Sequence, residues 1–304
     1  MTLEQLRIFV AVADRQHVTR AAEMLNIAQS AASAAIATLE GRHGAKLFHR
    51  VGRGIELTEA GALFLIEARA VLARAAAAEL VLSELGGLKR GTLSVQASQT
   101  TASYWLPRYL VEFRRAHPGI DIRLTIGNTT QVAAAVKGGL AELGFVEGDV
   151  DDPLLENRVV ARDQLVVVVG PDHDWAQADT RALPFSPARL VETDWVLREA
   201  GSGTRSVFEA ALKEFGVAPA GLRVVLELPS NESVRAAVEA GMGATAISAS
   251  VAAPSIEAGL LQVVDLALPE RAFHVLRHGE RHRSRAADAL LAIIAAGRPI
   301  TASD

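Results

Sequence analysis

The chain has 304 residues, half of them hydrophobic and 22% charged, with a formal net charge of −4 and no cysteine. That composition fits an ordinary globular chain of two or three domains. It excludes disulfides and thiolate metal sites.

The opening residues, MTLEQLRIFVAVADRQ, carry Glu4 and Asp14 and lack the basic start and unbroken apolar run of a signal peptide. Over 2–15 they predict a helix with Leu3, Leu6, Phe9, Val10 and Ala13 on one face, and Thr2 followed by Gln5 forms a capping box. Two short helices follow, from about Thr19 to Leu25 and from Gln29 to Glu40, joined at Asn26 and Ile27. Ala21, Ala22 and Leu25 are apolar on the first. Ala32, Ile36 and Leu39 recur at i, i+4 and i+7 on the second. Gln29 and Ser33 fall outside that stripe. A second helix that starts with small polar residues suits a helix-turn-helix entering a major groove, which makes Thr19, Gln29, Ser30 and Ser33 the candidate DNA contacts. Gly41 and Gly44 are expected to end this helix.

Residues 46–57 read as a hairpin with Val51-Gly-Arg-Gly54 as its turn, a wing that places Arg50 and Arg53 for phosphate or minor groove. The first sixty residues hold seven Lys/Arg against six Asp/Glu, so phosphate attraction rests on local placement around Lys46, Arg50 and Arg53. Thr58 and Glu59 open a long Ala-rich helix reaching about Leu85, with Gly86-Gly87 as its stop. Its segment 62–82 contains Glu67, Arg69, Arg74 and Glu79, so it is not expected to cross a membrane, and a cytoplasmic protein is expected. Leu63, Phe64, Ala70, Val71, Ala78, Leu82 and Leu85 lack an evident partner within the chain, which points to a self-pairing dimer helix.

After Lys89-Arg90-Gly91 strands alternate with helices. Strands are predicted at 92–98, 120–128 and 141–148 with helices at 102–116 and 130–137. A second set follows: strands at 165–170, 195–199, 223–229 and 245–250, and helices at 204–215 and 232–240. The strand 271–279 and a helix from Ser284 to Ala296 return to the first set. This order implies an α/β fold with parallel sheets and crossover helices. Two subdomains, joined near 160–165 and 264–270, are expected to enclose a cleft. Three loops between a strand and a helix carry hydroxyls and free N–H groups: Ser98–Thr101, Gly127–Thr130 and Glu199–Arg205. In open α/β sheets ligands bind at such carboxyl ends, and helix N-termini favour anions. The same Ser, Thr and Asn residues could instead serve only as helix caps.

The stretches VTRAAEMLNIAQSAASAAIATLE, LFHR and LTEAG (57–61), in this order and spacing, resemble the LysR-type bacterial transcriptional regulators, and the resemblance covers essentially the whole chain. It implies a winged helix-turn-helix over 1–60, a linker and dimerisation helix over 58–88, and a two-lobed effector domain like a periplasmic binding protein over 91–304. Lobe I would comprise 91–162 and 268–304, and lobe II 163–267. It further implies a tetramer on promoter DNA, contact with RNA polymerase, and no cofactor beyond a small-molecule effector. Ala34 and Ala35 stand where the family often has a charged or larger polar residue after the serine matching Ser33, so base readout rests on fewer side chains.

SQTTASYWLP, LGFVEG and REAGSGTR look most like the branch that regulates carbon fixation and sulfur assimilation. By that resemblance Ser98, Thr100 and Thr101 and, in the third loop, Ser202, Gly203 and Thr204 are effector-site candidates; Thr129 joins them from the loop reading and Glu147 from its place after the third strand, and the effector is expected to be an anion or small organic acid. Glu147 replaces a threonine of some sulfate-sensing relatives, and a carboxylate there disfavours a bare dianion. An enzyme or solute-binding protein using the same cleft is the alternative. No nucleophile elbow, P-loop or dinucleotide fingerprint supports an enzyme, and the first ninety residues do not suit a transport protein.

Overall fold

The computed structural model describes residues 1–51, 54–85, 91–176 and 185–297. The chain forms two compact units, one built on Met1–Gly86 and the other on Gly87–Lys137 with Ala141–Asp304.

In the first unit, α1 (Leu3–Arg15) starts at the expected capping box: Thr2 Oγ1 accepts from Gln5 N at 3.2 Å and Gln5 Oε1 accepts from Thr2 N at 3.0 Å. The helix α2 (Val18–Met24) is capped by the His17 ring, which accepts from Arg20 N at 3.4 Å. The third helix, α3 (Gln29–His43), runs through Gly41 and stops only at Gly44, which adopts the left-handed φ of 63°. One exposed glycine costs a helix only about 1 kcal/mol, too little to end one anchored by Leu39. Ala21, Ala22 and Ala32 close against Ile8 and Val12, and their small side chains let the three helices approach closely.

The wing is an antiparallel pair, β1 (Phe48–Val51) and β2 (Gly54–Leu57), with Phe48 opposite Leu57. Its turn, including Arg53, lies outside the described residues. Helix α4 (Glu59–Leu85) packs back on this head. Phe64, expected on a self-pairing face, instead sets its ring 4.8 Å from that of Phe9. Phe64, Ala68 and Leu72 are spaced i, i+4 and i+8, one face of the helix. Leu63 and Ile66 lie off that face and remain about two-thirds exposed, at 64% and 66%.

The second unit is one sheet with helices on both faces. Its strands are β3 (Gly91–Ala97), β4 (Ile120–Ile126), β5 (Leu143–Glu147), β6 (Leu155–Val169), β7 (Asp194–Arg198), β8 (Arg223–Leu228), β9 (Ala244–Ser248), β10 (Gln262–Val263) and β11 (Glu270–His278). They run in the order β4-β3-β5-β11-β6-β9-β7-β8, with β10 beside β6. Pairing is parallel among β4, β3 and β5 and among β8, β7 and β9, and antiparallel around β6 and β11. The helices are α5 (Pro107–Ala116), α6 (Thr129–Gly138), α7 (Gly203–Glu214), α8 (Asn231–Glu239), α9 (Ala249–Glu257) and α10 (Arg285–Ala296).

Strand β6 joins the lobes. Its first half, to Gln164, pairs with β11, and Leu165–Val169 pairs with β9. The sequence pattern shows only the second half as a strand, because Glu156, Asn157, Arg158 and Arg162 interrupt the apolar run. One lobe closes on Leu93, Phe113, Phe145 and Leu290. The other closes on Trp195 and Phe208 on one face of its sheet and on Val234, Ile247 and Val251 on the other.

Two further differences have local causes. The helix predicted at 102–116 divides into a π-turn at Thr101–Trp105 and α5, because Pro107 brings no N–H to a continuous ladder. The strand predicted to Ser250 ends at Ser248, whose hydroxyl accepts from Ser250 N at 3.2 Å and starts α9. No helix among the described residues is long and apolar enough to cross a membrane.

Gly243 has φ +60°, and a Cβ there would lie 2.1 Å from the Asp194 carbonyl oxygen. Gly243→Ala is therefore expected to destabilise by about 2–4 kcal/mol, whereas Gly41→Ala, with nothing within 4 Å, should stabilise by about 0.5–1 kcal/mol. Denaturant unfolding of the two variants checks both signs.

Candidate functional site

The head offers a polar edge. Gln29 and Ser30 are exposed at the start of α3, and Gln29 Nε2 donates to Ser33 Oγ at 2.9 Å, so the two side chains present one preset pair. Thr19 is exposed near the start of α2. Ala28 precedes α3 without a side-chain cap; Ala31 N donates to the Ala28 carbonyl at 3.0 Å, which leaves the Gln29 and Ser30 N–H groups open to an anion. Arg50 is exposed on β1 and has no ion pair among the described residues. Lys46, expected to share its phosphate-facing cluster, pairs with Glu40 at 2.7 Å. The same carboxylate accepts from Leu47 N at 2.9 Å and Phe48 N at 3.3 Å, tying α3 to the wing. Burial alone would push the Glu40 carboxyl up, but Lys46 and the two N–H groups outweigh it and hold it below its ordinary value.

In the second unit the three predicted loops meet in a cleft between the lobes, and hydrogen bonds already cross it. Thr100 Oγ1 accepts from Asn231 Nδ2 at 3.0 Å, and Gln99 Oε1 accepts from Asn231 N at 2.7 Å. Gln99 Nε2 also donates to Glu232, and Tyr104 reaches the same carboxylate at 3.2 Å. On the neighbouring loop Asn128 Nδ2 donates to Glu199 at 3.2 Å, and Thr130 N donates to Gly201 O at 3.3 Å.

Arg198 links the two sets. Buried to 6% exposure, it donates to Asn231 Oδ1 at 2.6 Å and, through Nε and Nη2, to Glu199 at 2.8 and 3.0 Å. Burial would raise the Glu199 carboxyl, but the Arg198 contacts outweigh it and hold it low.

The remaining candidates have different commitments. Ser98 and Thr101 share a hydroxyl contact of 2.8 Å, and Thr101 also faces the carbonyls of Ser98 and Phe145. Thr129 donates to the Glu147 carbonyl at 3.2 Å. Thr204 accepts from Arg271 Nη1 at 2.9 Å. The Arg271 Nε donates to Asp163 at 2.8 Å, while Nη2 lies 2.6 Å from that oxygen without hydrogen-bond alignment. Ser202 precedes α7 without capping it, which leaves N–H groups of that helix start open. Gly203 is required there: a Cβ would fall 2.5 Å from both the Glu147 carbonyl and Thr129 Oγ1. Arg205 turns to its own lobe, bonding Glu209 at 2.7 Å and the Arg198 carbonyl at 3.0 Å and pairing with Glu227.

Beside the loops lies a cavity of about 940 Å³ whose wall includes Thr129, Glu147, Gly203, Arg271 and His274. Glu147 is 2% exposed. Sequence reasoning passed over Arg198, Asn231 and Arg271. The first and last sit on strands where arginine reads as a surface residue. Asn231 follows a strand and starts a helix, the same signal that marked the other three loops, and could have been found by it.

Arg271→Met leaves Asp163, whose side chain is 7% exposed, as an uncompensated buried charge. A loss of about 3–5 kcal/mol is expected on unfolding, most of it recovered when Asp163→Leu is added. A second expectation concerns pH. Burial pushes His274 and His173 below their ordinary imidazole value, against opposing pulls from Asp149 and Asp174. The unfolded chain then binds protons that the native state refuses, so stability falls as pH drops below about 6.5. His274→Gln should shallow that slope in a melting series from pH 7.5 to 5.5.

Two family models match the chain: the bacterial regulatory helix-turn-helix protein, lysR family, over residues 3–62, and the LysR substrate binding domain over residues 86–298. The HTH-type transcriptional regulator YeiE of Escherichia coli (strain K12) is 32% identical over 292 residues, covering 94% of each chain. A probable RuBisCO transcriptional regulator of Synechocystis sp. (strain PCC 6803) is 31% identical over 295 residues, covering 95% of this chain and 84% of the relative. The CcmR regulatory domain of Synechocystis PCC6803, solved in complex with 2-PG, superposes with a TM-score of 0.62 at 25% identity, over 69% of this chain and 99% of that one.

Proposed function

The chain belongs to the LysR family of bacterial transcriptional regulators, and on that footing we propose how its two ends divide the work. As a member it binds promoter DNA through its helix-turn-helix, carries an effector-binding domain, and is a regulator rather than an enzyme. In our reading the head over 1–60 reads DNA with Gln29, Ser30 and Ser33 at base edges. Thr19, Arg50 and Arg53 hold the backbone. The linker helix over 58–88 pairs two copies through the exposed side of Leu63 and Ile66, two such dimers make the tetramer, and the assembly works with RNA polymerase in the cytoplasm.

The effector domain over 91–304, with lobes of 91–162 plus 268–304 and of 163–267, senses a small anion. The observation that carries this is the cavity lined by Thr129, Glu147 and Gly203, beside a start of α7 that no side chain caps, in a domain whose lobes Thr100 already bridges through Asn231. CcmR, a structural relative, was solved with 2-PG, a small anion, which favours the same class here. A ligand changes DNA binding only by its preference for one lobe arrangement over another. The Asn231 and Glu199 hydrogen bonds are the contacts it would strengthen or displace.

Gel shifts with the DNA upstream of the protein's own gene, at several salt concentrations, test the head. Ser33→Arg should weaken specific binding roughly tenfold or more while leaving thermal unfolding unchanged. Operator affinity equal to wild type would take α3 out of base readout.

A further inference from the structure

Glu147 ends β5 and is 2% exposed as a residue; its carboxylate oxygens are not among the fully buried unpaired atoms, so they reach the cavity, and no hydrogen bond or ion pair engages them among the described residues. Buried carboxylates are ordinarily paired, because removing the charge from water is costly and only a donor offsets it. The cavity wall it belongs to has the same polarity. Besides Glu147 it holds Asp149, Asp151, Glu214 and Glu270, together with Asp152, whose charge is met by Lys137. Its lysine and arginine are already engaged, Lys137 with Asp152 at 2.8 Å and Arg271 with Asp163 at 2.8 Å. His274 in that wall is 5% exposed, and its Nδ1 has no aligned hydrogen-bond partner, with Asp149 3.4 Å away. An anion alone would meet this wall with repulsion.

The opposite polarity stands directly beside it. The N-terminus of α7 starts at Gly203, twelve residues long and uncapped by Ser202. A Cβ built on Gly203 would sit 3.1 Å from the Glu147 Cβ, so the helix start and the glutamate are immediate neighbours. N–H groups at a helix start favour an acid group, while a buried carboxylate favours an ammonium.

We propose that the effector is a zwitterion, a small amino acid whose acid group meets the start of α7 and whose ammonium meets Glu147. This rests on the cleft being the effector site, and it narrows the ligand from anions in general to acids bearing an amine.

The full-length protein is screened by thermal shift against the standard L-amino acids and, in parallel, against carboxylates and phosphates without an amine. Ligands that stabilise it are titrated calorimetrically into wild type and Glu147→Gln, together with their des-amino and hydroxy analogues. The expected result is stabilisation by an amino acid, a roughly 10–100-fold loss of affinity for the des-amino analogue, and a similar loss in Glu147→Gln. Without ligand, Glu147→Gln should melt no lower than wild type, since the carboxylate has no partner to lose; a lower melting temperature would show the carboxylate to be held by the fold and overturn the proposal. Amine-free anions that bind as tightly, and equally to Glu147→Gln, overturn it while leaving the effector cleft in place. A hydroxy analogue equal to the amine also overturns it. No stabilisation by either set removes both the zwitterion and the cleft as an effector site.

Discussion

Both lobes of the effector domain share β6. The strand is 15 residues long, pairing with β11 over its first part and with β9 over its second. A strand rises about 3.3 Å per residue, so one continuous backbone reaches through both cores. Separating the lobes would break that ladder, whereas bending it near Gln164 and Leu165 changes only a few dihedral angles. The permitted motion is therefore hinge-like, and the cleft is where such a motion has its effect.

Across the hinge, closure is held by polar contacts rather than by an apolar seal. Arg198 gathers them: one end of its guanidinium fixes Asn231, and with it Thr100 and Gln99, while the other fixes Glu199, and with it Asn128. Contacts of this kind contribute modestly one by one, since each replaces a bond to water. In the effector domain as proposed above, that would let a ligand of ordinary affinity shift the balance between arrangements. The hydroxyls of Ser98, Thr100, Thr101 and Thr204 all have intramolecular partners in this closed arrangement. Under the function proposed above, a ligand at these hydroxyls would have to add to those bonds or exchange for them.

The head follows a different economy of size. Its helices meet on Ala21, Ala22 and Ala32, so they lie close but bury little area each. The long α4 supplies what is missing by adding Phe64, Ala68 and Leu72 to the cluster around Phe9 and Leu39. Glu40 completes the head by gripping Lys46 and the first N–H groups of the wing. The orientation of α3 relative to the wing thus depends on one carboxylate that sequence patterning treats as a surface charge.

Local chemistry was sufficient to specify the helix-turn-helix, the capping box at Thr2, the alternation of strands and helices, and the three loops at strand ends. Each of these depends on spacing within a few residues, which periodicity and capping rules express directly. The first half of β6, the split of a helix at Pro107 and the burial of Phe64 were not specified in that way. Nor was the isolation of Glu147, or the bridge from Arg198 to Asn231, whose partners lie 33 residues apart in the chain. Those features are set by which distant segments pack together, and no local period carries that information. Folding decided them, because a charged side chain takes its meaning from the partners and the dielectric that tertiary structure places around it.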